Sequence, residues 1–175
     1  YEQLMKVKKL LEFDIKKISS IIVNDKRTSS TLMRELLRQG DLIKASQFLG
    51  KSYQMSGRVI TGQQLGRELG YPTANVNIHR LESALMGIFA VRVHGLADEP
   101  LDAVASLGKR PTFYEGQKPL LEVHIFNFNK DIYGRYIDVD FISKIRDEIK
   151  FDNADELIDQ MHKDANDAKK ILSSQ

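Results

Sequence analysis

No cysteine occurs in the 175 residues. Disulfide frameworks, thiol nucleophiles and cysteine–zinc sites are thereby excluded. No apolar run approaches the roughly 20 residues that a membrane-spanning helix needs. The opening segment, YEQLMKVKKLLEFDIKK, holds no apolar stretch long enough for a secretory signal. With nothing to address the chain elsewhere, a cytoplasmic location is expected. A large charge of one sign is missing too. The 26 Lys and Arg stand against 24 Asp and Glu, a net charge of +2, which argues against a dedicated nucleic-acid binder. Several catalytic signatures are absent as well: there is no GxxxxGKS/T phosphate loop, no GxGxxG fingerprint and no GxSxG serine elbow. His79, His94 and His162 form no HxxxH or HxH pair for zinc.

What is present is ordinary for a globular chain: 42% hydrophobic and 29% charged residues, too apolar for disorder. The charge is unevenly spread. Residues 1–50 hold ten Lys/Arg and six Asp/Glu, net +4, whereas residues 51–175 hold 16 and 18, net −2. The first part reads as mostly helical, preceded by a β-branched run, Ile18 to Val23, that suits a short buried strand. Ser29 or Ser30 can cap a helix carrying Leu32, Leu36 and Leu37 on one face, and Gly40 fits its left-handed end. Asp41 can cap a second helix, 42–49, which Gly50 ends in the same way. A helical linker and a helix–turn–helix-like pair both fit this pattern.

From Tyr53 onward, strand-like runs alternate with turn signals at short spacing, which predicts a small antiparallel barrel. The runs are 57–61, 88–94, 101–107, 120–128 and 135–142. Phe89, Val91 and Val93 share one face of the second, and Ile137, Val139 and Phe141 one face of the last. Asn153 with Glu156 three residues on predicts the start of a terminal helix. Its apolar stripe, Leu157, Met161, Ala165, Ala168 and Leu172, reads as packing against the barrel.

Two places suit chemistry. In the segment 62–75, Gly62, Gly66 and Gly70 leave the backbone free to approach a ligand. Pro72 restricts its own φ and pushes Tyr71 toward extended geometry. Thr73 and Asn75 then point to one side, and a hydroxyl with an amide oxygen suits a hard cation such as Mg²⁺ that keeps waters and phosphates in its shell. A glycine-rich hairpin loop closed by a proline turn accounts for the same residues. In the run 120–128, Leu121, Val123 and Ile125 read as core, and Glu122, His124, Phe126 and Phe128 face the other way. A carboxylate among aromatics suits a general base acting on an alcohol. The solvated face of an edge strand fits it too. Lys109 to Thr112 is a basic turn able to meet phosphate, and Arg146 to Phe151 fits either a flap or a polar connection.

Residues 50–172 resemble the riboflavin kinase module. The matching signatures are Gly57-Arg58-Val59 with Gly62, then Gly66-Arg67-Glu68-Leu69-Gly70-Tyr71-Pro72-Thr73-Ala74-Asn75, and Gly108-Lys109-Arg110-Pro111-Thr112-Phe113. Leu121-Glu122-Val123-His124, Asp131-Ile132-Tyr133-Gly134 and Ile145-Arg146-Asp147-Glu148-Ile149-Lys150-Phe151 follow in order. Ser29-Ser30-Thr31-Leu32-Met33-Arg34 resembles the closing signature of an FMN adenylyltransferase, with Met33 in place of Ile. In bacteria the two modules form one bifunctional riboflavin kinase/FMN adenylyltransferase (FAD synthetase). The resemblance implies a mainly β fold: a six-stranded antiparallel Greek-key barrel with a C-terminal helix and an N-terminal helical extension.

The resemblance also implies a division of the chain. Residues 1–50 correspond to the tail of the adenylyltransferase domain and a helical linker, and residues 51–175 to the kinase domain. The expected reaction is ATP plus riboflavin to FMN plus ADP, without adenylation of FMN, because the histidine motif of the other domain is not in this chain. Glu122 corresponds to the catalytic base. Gly62, Gly66, Arg67, Gly70, Pro72, Thr73, Asn75 and Tyr133 correspond to nucleotide-binding residues. Thr73 and Asn75 correspond to the Mg²⁺ ligands, and Arg146 and Phe151 to a flap over the flavin. The family's Asn-Gly-Val-Tyr stretch is Leu85-Met86-Gly87-Ile88-Phe89 here, a departure on the flavin side. Neither nucleic acid nor membrane is an expected partner. A non-catalytic barrel that binds single-stranded nucleic acid is the alternative from another class.

Overall fold

The structure is a computed structural model describing residues 4, 5, 7, 8, 14–16, 19–62, 66, 70–109 and 119–174. A two-residue ribbon, β1 (Ile22–Val23) and β2 (Lys26–Arg27), precedes helices α1 (Ser30–Gln39) and α2 (Leu42–Leu49). Six longer strands follow: β3 (Tyr53–Ile60), β4 (Ala74–Asn77), β5 (Gly87–His94), β6 (Leu101–Lys109), β7 (Pro119–Ile125) and β8 (Tyr136–Arg146). Helix α3 (Ala154–Ser173) ends the fold.

The six strands close into a barrel in the order β3-β4-β7-β6-β5-β8, each antiparallel to its neighbours. Strands β5, β6 and β7 are sequential neighbours, and β8 returns to pair with β5, which is the Greek-key arrangement. Closure leaves no unpaired edge. Two register shifts between β5 and β8, at Ile88/Phe89 and Ala90/Val91, add the local bend that a small closed sheet needs.

Alternation decides what fills the barrel. Leu121, Val123 and Ile125 of β7, Phe89, Val91 and Val93 of β5, and Ile137, Val139 and Phe141 of β8 are all buried in one core. Phe89 and Phe141 meet edge to face at 5.2 Å. Strand β5 is buried on its outer face too, because α3 lies there. Ala90 packs with Ala168 and Leu172, flanked by Val104, Phe126 and Ile145. The stripe on α3 thus covers the barrel. Its start is a reciprocal cap: the Glu156 N–H donates to Asn153 Oδ1 at 2.9 Å and the Asn153 amide donates back to Glu156 Oε1 at 2.9 Å.

The helical pair follows its capping signals. Ser29 Oγ accepts from the Leu32 N–H, and Asp41 Oδ1 accepts from the Lys44 N–H. Gly40 and Gly50 close the two helices at φ +73° and +71°. Leu36, Leu37, Leu42, Ala45 and Phe48 join the same core as the barrel, so α1 and α2 pack onto it.

Three expectations need correction. The run ending at Val23 is not a buried strand: only Ile22 and Val23 pair, and Ile21 and Ile22 are 64% and 67% exposed. A ribbon of two residues per strand has no sheet face to cover them. Strand β7 stops at Ile125, short of Phe128, because Asn127 adopts φ +52° and breaks the alternation. Phe128 consequently packs against the barrel core and does not share the outer face with Phe126. Finally, β4 is a full barrel strand within what reads as a proline loop.

Candidate active site

The antiparallel registers build a transverse row across the outside of the barrel. Asn75 of β4 pairs with Glu122 of β7, Glu122 with Ser106 of β6, Ser106 with Ile88 of β5, and Ile88 with Arg146 of β8. Residues paired across neighbouring strands share a face. The row therefore aligns Asn75, Glu122 and Arg146, which sequence places 47 and 24 positions apart. The residues flanking Glu122, Leu121 and Val123, are fully buried and hold the strand in place.

Gly62 and Gly66 lie close to one end of this row. Asn75 is only 5% exposed. A Cβ at Gly62 would overlap the Asn75 side-chain amide, so only glycine lets this backbone lie against it. A Cβ at Gly66 would overlap the Tyr71 carbonyl and come within 3.4 Å of Thr73 Oγ1. The Tyr71 N–H donates to the Gly66 carbonyl at 2.7 Å, and Gly70 takes φ +82°. On the other side His124, two residues beyond Glu122 on the same face, places Nδ1 2.9 Å from the Pro72 carbonyl. The Tyr71 hydroxyl meets Nδ1 of His162 on α3, and the Tyr71 ring stands edge-on to both imidazoles, at 5.0 Å from His124 and 5.1 Å from His162. Burial pushes the Tyr71 phenol up.

Beside Thr73 opens a cavity of about 520 Å³, lined by Val59, Pro72, Thr73, Val123, Phe128 and Tyr133 among others. Residues 128–133 contribute to its lining. The Tyr133 N–H donates to Asp131 Oδ1 at 2.9 Å, Gly134 takes φ +77°, and the Gly134 N–H donates to the Val59 carbonyl at 2.9 Å. An Asx turn locked onto β3 in this way presents the half-exposed Tyr133 ring to the cavity.

At the far end of the row Arg146 is engaged by α3. Its Nε donates to Asp164 Oδ1 at 2.8 Å and its Nη2 to Asp164 Oδ2 at 2.6 Å, a bidentate pair. Gln160 adds a third donor to the Asp164 carboxylate, which is almost wholly buried. The Arg146 guanidinium also lies 6.0 Å from the Phe151 ring centre. Nearby, the Glu148 carboxylate occupies the space a side chain at Gly108 would need. Desolvation there raises the pKa of Glu148, and the Arg146 charge partly opposes this.

The structure brings together Gly62, Gly66, Pro72, Thr73, Asn75 and Glu122, with Gly70 beside Tyr71 in the chain and Tyr133 lining the same cavity as Pro72 and Thr73. Arg146 and Phe151 sit at the opposite end of the row. Arg67 and the block Arg110 to Phe113 lie outside the described residues. Among the described residues no group of three or more His, Cys, Asp and Glu is placed to hold a metal. The donor set that suits a hard cation is the Thr73 hydroxyl with the Asn75 amide oxygen, neutral oxygens that leave coordination positions for phosphates and water. The buried setting of Asn75 beneath Gly62 fits that use. Sequence reading missed Phe128 as a cavity wall, His124 and His162 as partners of the segment 71–72, and Asp164 as the partner of Arg146. Only Asp164 carried a signal: an acid on the same helical stripe as Ala165 and Ala168.

Residues 49–172 match the family model for flavokinase, described as riboflavin kinase. The chain belongs to the riboflavin kinase family. Curated relatives agree. The bifunctional riboflavin kinase/FMN adenylyltransferase of Haemophilus influenzae is 42% identical over 174 residues, covering 99% of this chain and 56% of that protein. The enzyme of the same description from Escherichia coli K12 is 41% identical over 160 residues, covering 91% of this chain and 51% of that protein. The chain spans about half the length of these riboflavin kinase relatives. Among solved structures, one described as a macrolide-efflux protein from Streptococcus pneumoniae superposes with a TM-score of 0.73 at 33% identity, over 91% of this chain and 52% of that one. Riboflavin kinase from Trypanosoma brucei shares the fold, with a TM-score of 0.50 at 23% identity over 69% of this chain and 79% of that one.

Proposed function

We propose that this chain transfers the γ-phosphoryl group of ATP to the ribityl 5′-hydroxyl of riboflavin, giving FMN and ADP. Membership of the riboflavin kinase family supports the substrates, and the cross-strand pairing of Asn75 with Glu122 is the observation that carries the mechanism. Glu122 acts as general base. Its carboxylate takes the 5′-hydroxyl proton as the oxygen bonds to the γ-phosphorus and the bond to the β–γ bridging oxygen breaks, releasing ADP. Such transfers ask a protein mainly for positioning and charge stabilisation. Mg²⁺, when bound, would offset the phosphate charge, and the Thr73 hydroxyl and Asn75 amide oxygen would be its protein ligands. Gly62, Gly66, Arg67 and Gly70 form the cover over the nucleotide, Pro72 orients Thr73, and Tyr133 borders the cavity beside them. Arg146, the last residue of β8 and pinned by Asp164, and Phe151 take the flavin side in this reading, so Arg146 belongs to the barrel and not to a flap.

Residues 51–175 form the kinase domain in this reading, and residues 1–50 are the tail of an adenylyltransferase domain whose activity resides in the longer parent protein. Among the described residues no helix is long and apolar enough to cross a membrane. The test is turnover with riboflavin, ATP and Mg²⁺, with flavins separated by chromatography. FMN without FAD is the expected product. Riboflavin binding by a folded chain that yields no FMN would remove the kinase assignment.

A further inference from the structure

We infer that His124 and His162 are positioning residues for the kinase step, acting as a two-point clamp on the segment Tyr71-Pro72 that orients Thr73. The inference rests on the proposed kinase reading and goes beyond it, since that reading gives neither histidine a role. The first point is the bond between His124 Nδ1 and the Pro72 carbonyl at 2.9 Å. A carbonyl only accepts, so this bond requires the imidazole to carry its proton on Nδ1. Pro72 has no N–H and a restricted φ. Its carbonyl is therefore the one backbone polar group that Pro72 itself offers, and it belongs to the peptide that leads into Thr73. His124 and Glu122 are alternate residues of β7 and share its outer face. The same strand that presents Glu122 thus also grips the peptide beside Thr73, and the spacing between them is set by one rigid element.

The second point comes from α3. His162 is exposed on the helix, and its Nδ1 meets the Tyr71 hydroxyl. The Tyr71 ring lies between the two imidazoles. Helix α3 is itself fastened to the barrel by the Arg146–Asp164 pair and by Ala168 and Leu172. The segment 71–73 is therefore held from the β7 side and from the α3 side at once. The Tyr71 N–H also donates to the Gly66 carbonyl, a contact that comes from the glycine segment itself. A misplacement of about 1 Å in a positioning group costs up to roughly a hundredfold in rate.

The test uses the full chain and three variants. His124→Phe keeps the ring contacts with Tyr71 and Phe126 and removes the donor. His124→Asn places an amide N–H where Nδ1 stood. His162→Leu changes an exposed helix position, so its folding is safe. We expect His124→Phe to lower kcat/KM for MgATP by about tenfold to a hundredfold, with riboflavin affinity unchanged, and His124→Asn to recover most of the loss. His162→Leu gives the same signature at smaller amplitude. Nitrogen-15 NMR of the histidines reads the clamp independently of turnover: His124 is expected as the Nδ1–H tautomer. Wild-type kinetics for His124→Phe, an Asn variant no better than Phe, or an Nε2–H tautomer for His124 would each overturn the inference while leaving an active wild type and the kinase reading intact. A wild type that forms no FMN removes the kinase reading and the clamp's role with it.

Discussion

Asn75 and Glu122 are direct antiparallel partners, one on β4 and one on β7, on the outer face of the barrel. Their separation is set by strand spacing and not by loop conformation, which puts a candidate cation ligand and a candidate base on paired strands of one barrel.

Replacing Glu122 by Gln preserves shape and removes the proton acceptor. Initial rates of FMN formation should fall by about 10²–10⁴-fold, while riboflavin affinity, followed by flavin fluorescence, stays close to wild type. Turnover near the wild-type rate would take Glu122 out of the mechanism.

Gly62→Ala is expected to disturb Asn75, because the added Cβ overlaps the buried amide. The Mg²⁺ concentration needed for half-maximal turnover should rise, and Asn75→Ala should raise it as well, with riboflavin binding little changed in both. Magnesium titrations that superpose on wild type would show that Asn75 holds no metal.

The Arg146–Asp164 pair joins β8 to α3 with only 6% of the Asp164 side chain exposed. Asp164→Ala strands a partly buried guanidinium, and such losses cost about 3–5 kcal/mol. Thermal unfolding of the variant should show a clear drop in Tm. Joint replacement, Arg146→Met with Asp164→Leu, should recover much of it. A single variant as stable as wild type would mean that the pair holds nothing together.

Asp41 and Glu148 respond to pH with opposite signs. The Lys44 ammonium and the Lys44 N–H both hydrogen-bond the Asp41 carboxylate and lower its pKa from 3.8. Its share of stability is present above that ordinary value and is lost as pH falls through the folded one. Glu148, pushed up from 4.5 by desolvation, favours the folded state in its protonated form. Its contribution is present below the ordinary value and is lost as pH rises through the folded one. In denaturant titrations across the acid limb, Asp41→Asn should therefore flatten the loss of stability, and Glu148→Gln should help most near neutral pH. Curves parallel to wild type for both would contradict these signs.

The glycines and the proline of 62–75 mark a place where backbone approaches backbone, and the positive φ at Gly70 agrees with that pattern. Helix ends were equally legible, because Ser29, Asp41 and Asn153 act within one turn of their own position. The strands β5, β7 and β8 show on their inner faces the alternation that the sequence carries. Strand β4 was hidden. Ala74 and Val76 fill the core while Asn75 is buried beneath Gly62, so no polar–apolar alternation marks it. Phe128 was misplaced because one residue at φ +52°, Asn127, reverses the parity of everything after it. Parity counting has no means of seeing a turn inside an apolar run.

Local chemistry determined the caps, the turn residues and the inward faces, since each depends on neighbours within a few positions. The registers, by contrast, were decided only when the barrel closed, and they alone bring Asn75, Glu122 and Arg146 into one row. The same closure, with α3 laid against it, sets His162 beside Tyr71 and Asp164 beside Arg146. Those contacts join residues many positions apart, and their geometry follows from packing shared by the whole core, which no single stretch of sequence contains.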